Sequence, residues 1–368
     1  MFEGKMYKRS VLLLVTLSLF SMGSAADEPS QGLGGSVVAT QPLPFAFSVF
    51  GSANPALNPS ADRVVTFHLS LFSGRVKGVQ GLQLGAISNH VTSDFIGYDA
   101  TGIYSRVDGN FAGFQAGALA SRVDGIFIGM QNGGIYNKVG SDFFGFQVSG
   151  VVNEVIGDFT GFQVSGIHNT SHRVKFAQIA GISNQATDVE GVQIAGIVNN
   201  AKHVKGVQIG LINRSEKLDG IAIGLVNLSK SGSIHLVSWG SLNEDYQIGV
   251  KFAPNDYWYT TLTMGQQALP SGQNRLSSFE SHMGFHVPLA AKFYAEIDLG
   301  SGNTIPDKFW SWESGESQHI LETRLGIGVQ ITPRFSVVAG FSDKRTFDDL
   351  DTWNGSTQEI KPFFGIQI

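Results

Sequence analysis

The chain of 368 residues is long enough to hold two domains. Only 15% of its residues are charged, compared with about 25% in an ordinary soluble domain, and it contains 46 glycines. This composition is typical of an all-β protein and suits contact with lipid. The chain has no cysteine, which excludes disulfides, thiolate metal sites, a cysteine nucleophile and a bacterial lipid anchor. The net charge of −5, without any basic run, gives no reason to expect a nucleic-acid partner.

Residues 1–26 have the pattern of a secretory signal peptide. Three basic residues precede an apolar run of 12 residues, Val11–Met22, and small residues suited to cleavage come just before Asp27. The apolar run is too short to span a bilayer, which argues against the alternative of an N-terminal anchor helix. We therefore expect an exported protein.

Residues 27–78 are predicted to form a leader followed by two strands. The segments Pro44–Gly51 and Arg63–Phe72 are rich in β-branched and aromatic residues, and a turn cluster of Ser, Asn and Pro separates them.

Residues 79–228 contain ten copies of a repeat of 14–16 residues. One copy reads Gly-Phe-Gln-Val-Ser-Gly-Val-Val-Asn from Gly145 to Asn153. Two residues after the leading glycine is the Gln position, occupied by Gln in eight copies, and the copy ends at the Asn position, occupied by Asn in eight. Such short-period self-similarity is the signature of a repeat architecture. The leading residues are Gly81, Gly97, Gly113, Gly129, Gly145, Gly161, Phe176, Gly191, Gly206 and Gly220.

Three further positions are apolar in every copy. They lie two residues before the leading glycine (the stack position), one residue after it (the post-glycine position) and two residues before the Asn position (the pre-Asn position). Because a flat strand alternates faces with period two, these positions can share a face only if the backbone turns between them, as glycine allows. The copy at Gly206 has lost one residue, which would invert a straight strand but only tightens a corner. The sequence therefore predicts a β-solenoid with one repeat per rung, an Asn ladder and a candidate Gln ladder.

A rival interpretation makes each repeat one membrane-spanning strand plus a hairpin turn. A strand of about 11 residues fits the period, and Gly and Gln would then line a lumen. Membrane barrels, however, have short turns at one rim and long loops at the other, whereas these repeats would have short turns at both.

Residues 229–368 change to strict alternation of apolar and polar residues, as in Lys292–Asp298. About eight such segments follow one another, and short and long connections alternate between them. This pattern predicts an antiparallel β-meander closed as an outer-membrane-type barrel, with Trp258 in an interfacial aromatic girdle. A soluble antiparallel sheet or sandwich is the alternative. The chain ends on Ile368, whereas such barrels usually end on an aromatic residue.

Three groups of residues invite a chemical role. His282 and His286, with Glu280 beside them, share a strand face, but residues four apart on a strand lie about 13 Å apart, too far for one metal ion. Aspartates recur before several copies, yet the Gly-Gly-x-Gly-x-Asp pattern of calcium-binding rolls is absent, so turn capping is favoured. Those aspartates are Asp94, Asp142 and Asp158. Phenylalanines at the stack position, rather than forming a ligand-binding stripe, are expected to be a stacked core.

The best candidate contact site is an aromatic cluster in a long loop of the C-terminal region. It consists of Phe309, Trp310, Trp312 and Glu313. We find no phosphate loop, nucleophile elbow or metalloprotease motif, and the recurrent Gln and Asn cannot act as general acids or bases. No catalytic residue, cofactor or metal site is therefore predicted.

The repeat Gly-x-Gln-[Ile/Val]-[Ala/Gly]-Gly-[Ile/Leu]-x-Asn resembles that of a family of exported bacterial surface-repeat proteins. The resemblance covers about Phe67 to Leu228 well and the strand-rich C-terminal region loosely. It implies export to the outer membrane or cell surface, with the periplasm as the alternative, and outer-membrane lipid as the partner. We expect a non-enzymatic envelope protein, structural or adhesive, with a repeat module beside a barrel. The alternatives are a small pore plugged by the repeats and, last, a carbohydrate-active enzyme.

Overall fold

The computed structural model describes residues 41–51, 60–241, 245–268, 275–305, 318–347 and 356–368. The predicted signal peptide, residues 1–26, lies outside these ranges and stays a prediction. Within them, no helix is long and apolar enough to cross a membrane. The all-β prediction is confirmed, because a parallel solenoid-like region is followed by a closed antiparallel barrel of eight strands.

Each solenoid rung has a long strand, which carries the Gln position, and a short strand, which carries the Asn position. The long strands are β1 (Leu43–Ser48), β2 (Val64–Ser70), β4 (Gly78–Gly85), β6 (Phe95–Thr101), β8 (Phe111–Gly117), β10 (Phe127–Gly133), β12 (Phe143–Ser149), β14 (Asp158–Ser165), β18 (His203–Ile209) and β20 (Lys217–Ile223). The short strands are β3 (Ser73–Val76), β5 (Ser88–Val91), β7 (Tyr104–Val107), β9 (Ala120–Val123), β11 (Tyr136–Val139), β13 (Val152–Val155), β17 (Val198–Asn200), β19 (Ile212–Ser215) and β21 (Val226–Ser229). Two continuous strands, β15 (His168–Ala180) and β16 (Ser183–Ala195), each join a short segment to the next long one.

Successive repeats pair in parallel, and each repeat position lies opposite the same position of its neighbour. Gly129, for example, is in register with Gly113 on one side and Gly145 on the other. The N-terminal strands β1 and β2 continue this ladder onto β4. The interpretation of each repeat as a membrane-spanning antiparallel strand is therefore wrong.

The long strand bends at its leading glycine. Eight of these glycines have φ between 130° and 148°, a conformation that residues with a Cβ rarely adopt. A Cβ on Gly145 would lie 2.0 Å from the carbonyl oxygen of Gly129 in the rung below. The bend therefore requires glycine both for its dihedral angle and for the close approach of the rungs. Phe176 takes the same register with φ of 88°.

Apolar side chains at the stack position fill one part of the solenoid interior. Five phenylalanines, from Phe95 to Phe159, are buried and stack with ring centroids 4.6 to 5.0 Å apart. A row of buried valines, such as Val107 and Val123, belongs to the same core. The prediction that these phenylalanines form a core is confirmed.

Amide side chains fill the rest of the interior as two ladders. At the Gln position, each Nε2 donates to Oε1 of the preceding copy at 2.7–2.9 Å, from Gln208 back to Gln115. At the Asn position, each Nδ2 donates to Oδ1 of the following copy at 2.8–3.0 Å, from Asn137 to Asn227. Both ladders are buried, and they run in opposite directions along the solenoid. Each amide of the two ladders makes at least one of these hydrogen bonds, which offsets the cost of its burial. At the start of the Asn ladder, Asn137 Oδ1 has no hydrogen-bond partner among the described residues.

The post-glycine and pre-Asn side chains point outward, contrary to the expectation that the apolar positions share a face. Phe146 is 54% exposed and Ile135 is 48% exposed. Since the strand alternates faces, the buried Gln position forces the post-glycine side chain outward. The pre-Asn residue lies in the bend between the long and the short strand, as Ile135 does between β10 and β11. Polarity therefore reverses in this region, with amides inside and many aliphatic and aromatic groups outside.

The barrel strands pair with their neighbours in antiparallel order, and β22 closes the barrel against β29 through Val237 and Gln367. Connections of two to four residues lie at the rim where the solenoid enters. At the opposite rim, the strand ends are separated along the chain by up to 13 residues (306–318). The strands are β22 (Ser233–Ser241), β23 (Tyr246–Ala253), β24 (Trp258–Ala268), β25 (Arg275–Ala290), β26 (Phe293–Ile305), β27 (His319–Thr332), β28 (Phe335–Phe347) and β29 (Thr357–Gln367).

Candidate functional site

The barrel is apolar outside and charged inside. Leu325 and Ile327 on β27 are each 60% exposed, whereas Glu322 and Arg324 on the same strand are buried in the interior. A barrel that folds in water has the opposite arrangement, so this exterior is suited to an apolar surrounding. Other outward-facing side chains are Leu236, Ile248, Met264, Phe279, Phe285, Ile297, Leu299, Phe341 and Phe364.

A buried ion pair lies in the middle of the barrel. Arg324 donates to both carboxylate oxygens of Asp298, over 2.9 and 3.2 Å, and the hydroxyl of Tyr259 donates to the same carboxylate at 2.8 Å. The guanidinium also lies 3.8 Å from the ring centroid of Trp239. Each group of the pair therefore has several partners, which is what makes a buried charge tolerable.

Further ion pairs connect strands that are not neighbours. Lys344 on β28 donates to Glu280 on β25 at 3.1 Å, and Lys251 on β23 pairs with Glu296 on β26. Between these side chains, the described interior has cavities of about 30 and about 20 Å³, room for only one or a few waters each. A wider cavity of about 440 Å³ lies toward the short-connection rim, with Lys251, His286 and Tyr294 in its lining. Among the described residues, side chains therefore close the middle of the lumen.

The two histidines considered for a metal pair have different neighbours. His286 Nδ1 lies 3.1 Å from Oε1 of Glu296, while His282 is buried next to Glu280 and Glu322. Gly300 is opposite His282 on β26, and a Cβ there would lie 2.1 Å from the imidazole Nδ1. That glycine therefore makes room for the His282 ring inside the barrel.

The last rung is fixed to the short-connection rim by three hydrogen bonds. Trp258 Nε1 donates to the carbonyl of Ala222 at 2.7 Å, and Asn255 Nδ2 donates to that of Gly220 at 2.8 Å. The Asn ladder continues into the barrel, because Asn227 Nδ2 donates to Thr260 Oγ1 at 2.8 Å. The interfacial girdle predicted around Trp258 is wrong for this residue, because it is buried at the junction.

The predicted interaction loop cannot be placed. Phe309, Trp310, Trp312 and Glu313 lie outside the described residues, and their role in binding stays a prediction.

The recurrent aspartates connect neighbouring rungs. Asp94 Oδ1 accepts the backbone N–H of Asn110 at 2.8 Å, and Asp142 Oδ1 accepts that of Asp158 at 2.9 Å, each in the following rung. The capping function predicted for them thus extends from one rung to the next.

The outer surface of the solenoid differs from side to side. Ion pairs such as Arg122–Asp124 (2.6 Å) and Lys138–Glu154 (2.8 Å) lie at the short strands and the bends that follow them. On the long strands, a mostly apolar groove of about 660 Å³ runs across several rungs. Its lining includes Phe47, Leu69, Leu84, Ala100, Ala116 and Gly134.

A buried carboxylate interrupts the Gln ladder. Asp99 takes the Gln position and accepts hydrogen bonds from Gln83 (3.1 Å), Gln115 (3.3 Å), Thr101 (3.0 Å) and Ser105. Burial raises the pKa of the Asp99 carboxyl above its ordinary value of 3.8, although these four donors oppose the shift. Gln83 on one side and Gln115 on the other therefore both donate to a carboxyl group that can change its charge.

The raised pKa predicts how Asp99 affects stability. As pH rises past 3.8, the unfolded chain loses its proton before the folded chain does, so the free energy of unfolding falls until the folded pKa is passed. We expect the free energy of unfolding of the wild type, minus that of Asp99→Asn, to decrease from acidic to neutral pH. Urea titrations of both proteins across that range measure it, and a difference that rises with pH contradicts the shift.

Comparisons with known proteins give only structural likenesses with low TM-scores. No protein-family model matches the chain, and no curated protein matches it. The N-terminal β-barrel domain of Pseudomonas aeruginosa OprF is 12% identical, with a TM-score of 0.29 over 36% of this chain and 93% of that domain. Yersinia pestis Ail, an outer membrane protein, is 12% identical, with a TM-score of 0.24 over 37% of this chain and 99% of Ail. A designed transmembrane β-barrel is 13% identical, with a TM-score of 0.24 over 36% of this chain and 90% of the design.

Proposed function

We propose that this chain is a non-enzymatic outer-membrane protein, in which the eight-stranded barrel spans the lipid and anchors a rigid solenoid. The observation that supports it is the reversed polarity of the barrel, with Leu325 and Ile327 exposed outside and Arg324 and Asp298 paired inside. In water the exposed apolar exterior would be a large aggregation-prone surface, whereas in a bilayer the lipid chains would cover it.

The junction favours one side of the membrane for the solenoid. Bacterial outer-membrane barrels place their short turns in the periplasm and their long loops outside the cell. The last rung is bonded to the short-connection rim through Trp258 and Asn255. The solenoid then extends into the periplasm and acts as a structural spacer, while any adhesive function belongs to the long loops.

A charge on the outer face tests the membrane assignment. We expect Leu325→Arg to destabilise the barrel folded in lipid vesicles by about 2–4 kcal/mol, because arginine near the bilayer midplane is costly. The matched control is Leu325→Met, which keeps the apolar surface. In a water-soluble barrel the arginine would change stability by no more than about 0.5 kcal/mol. A wild-type protein that stays monomeric without detergent, together with a neutral Leu325→Arg, would contradict the proposal.

The closed interior favours a scaffold over the alternative of a pore. In the described part of the barrel, Lys344–Glu280 and Lys251–Glu296 cross the lumen. We expect the full-length protein, inserted into planar bilayers, to give no stepwise conductance. Regular single-channel steps would instead favour a pore.

A further inference from the structure

Three ligand-type atoms converge inside the barrel. His282 Nε2, on β25, lies 3.3 Å from Oε2 of Glu280 on the same strand and 3.7 Å from Oε2 of Glu322 on β27. A ligand atom from each of the three residues lies within 4.8 Å of the others, and all three residues are buried. The sequence placed Glu280 beside His282, and the barrel adds Glu322.

Several of these atoms have no hydrogen bond, although they are shielded from solvent. Within the described residues, neither nitrogen of His282 nor Oε2 of Glu280 has a hydrogen-bond partner. A buried polar atom without a partner costs about 1–3 kcal/mol. Three such atoms on two adjacent side chains are therefore free to bind a further group.

The remaining oxygen of each carboxylate is already held. Glu280 Oε1 accepts from Lys344 at 3.1 Å and from Gln247 at 2.9 Å. Glu322 Oε1 accepts from Ser342 at 2.6 Å. Each glutamate is thus fixed through one oxygen, while its second oxygen is directed at the imidazole.

The other side of the imidazole also suits a metal ligand. His282 Nδ1 lies 3.4 Å from Oδ1 of Asp298, which Arg324 and Tyr259 hold in place. A metal-binding histidine almost always directs its second nitrogen at a carboxylate or carbonyl group in this way. The separations of 3.3 and 3.7 Å are close to the edge of a tetrahedron with bonds of about 2.0–2.1 Å, which is about 3.4 Å.

We propose that Glu280, His282 and Glu322 bind a divalent transition-metal ion, with zinc the best match. One imidazole and two carboxylates suit zinc, whereas calcium and magnesium prefer oxygen ligands alone. The ion would tie β25 to β27, which both pair with the strand β26 between them. This proposal does not depend on whether lipid surrounds the barrel.

Metal analysis of the full-length protein in detergent tests it. The wild type, stripped with chelator and then dialysed against zinc, is expected to retain one ion per chain by elemental analysis. His286→Ala is the control, since His286 contacts Glu296 instead. We expect His282→Ala to retain none and Glu322→Gln to bind at least about tenfold more weakly, since even residues that only support the ligands change affinity by about 10–100-fold. With cobalt in place of zinc, the wild type should show intense tetrahedral d–d absorption.

Two results would overturn the proposal. One is zinc retention by the wild type no greater than that of His282→Ala. The other is an imidazolium at His282, with both nitrogens protonated by NMR, in protein that has been supplied with zinc. If His282→Ala fails to fold, Glu322→Gln and His286→Ala still decide between these outcomes, because neither removes the imidazole of His282.

Discussion

Replacement of Asn169 by leucine is expected to destabilise the solenoid by about 3–5 kcal/mol. The Asn169 amide donates to Asn184 at 3.0 Å and to the carbonyl of Ile179 at 2.7 Å, and it accepts from Asn153 at 3.0 Å. Leucine leaves these buried partners unpaired, at about 1–3 kcal/mol each. Hydrogen exchange of the β14–β16 amides in the full-length protein measures the local loss.

Ile167, two residues before Asn169, provides the matched control. It is half exposed on the outer surface, so Ile167→Ala should change stability by no more than about 0.5–1 kcal/mol. A conventional interpretation of the sequence, with isoleucine inside and asparagine outside, predicts the reverse order. A larger loss for Ile167→Ala than for Asn169→Leu would show that the inward and outward faces are assigned wrongly.

In the barrel, Arg324→Met is expected to cost about 3–5 kcal/mol, because it leaves the buried carboxylate of Asp298 without its cation. The loss should appear on gels of heated samples, as a lower temperature at which the protein changes from the migration of the folded form to that of the unfolded form. We expect the double variant Arg324→Met/Asp298→Asn to recover much of this loss, since no uncompensated charge remains. Additive losses in the double variant would mean that the two side chains are not coupled.

The sequence predicts the period of the solenoid because two constraints are local to each copy. The leading glycine provides the bend, and identical side chains at the Asn position can pair only if the rungs are in register. Alternation within single segments, such as Lys292–Asp298, likewise predicts which barrel residues share a face. These features need no knowledge of distant contacts.

The sequence fails where the answer depends on contacts between distant residues. Apolarity suggests that Phe146 and Ile135 face inward, but the paired amides make a polar interior stable and leave those residues outside. Trp258 is of a residue type common in aromatic girdles, yet its indole donates a hydrogen bond to the carbonyl of Ala222 in the last rung. The sequence also misses the candidate metal cluster, because Glu322 lies two connections away from His282 along the chain but beside it in the barrel.

The Asn ladder has a consequence for how this protein can change in length. The 16-residue rungs that begin at Gly113, Gly129 and Gly145 pair with their neighbours in the same register, and the terminal amide of Asn227 finishes on Thr260 of the barrel. Removal or duplication of one complete copy, such as residues 129–144, keeps register, stacking and both ends intact. Loss of part of a copy breaks all three at once. The distance over which the solenoid extends can therefore vary in whole-rung steps of about 4.8 Å, by duplication or deletion of one repeat.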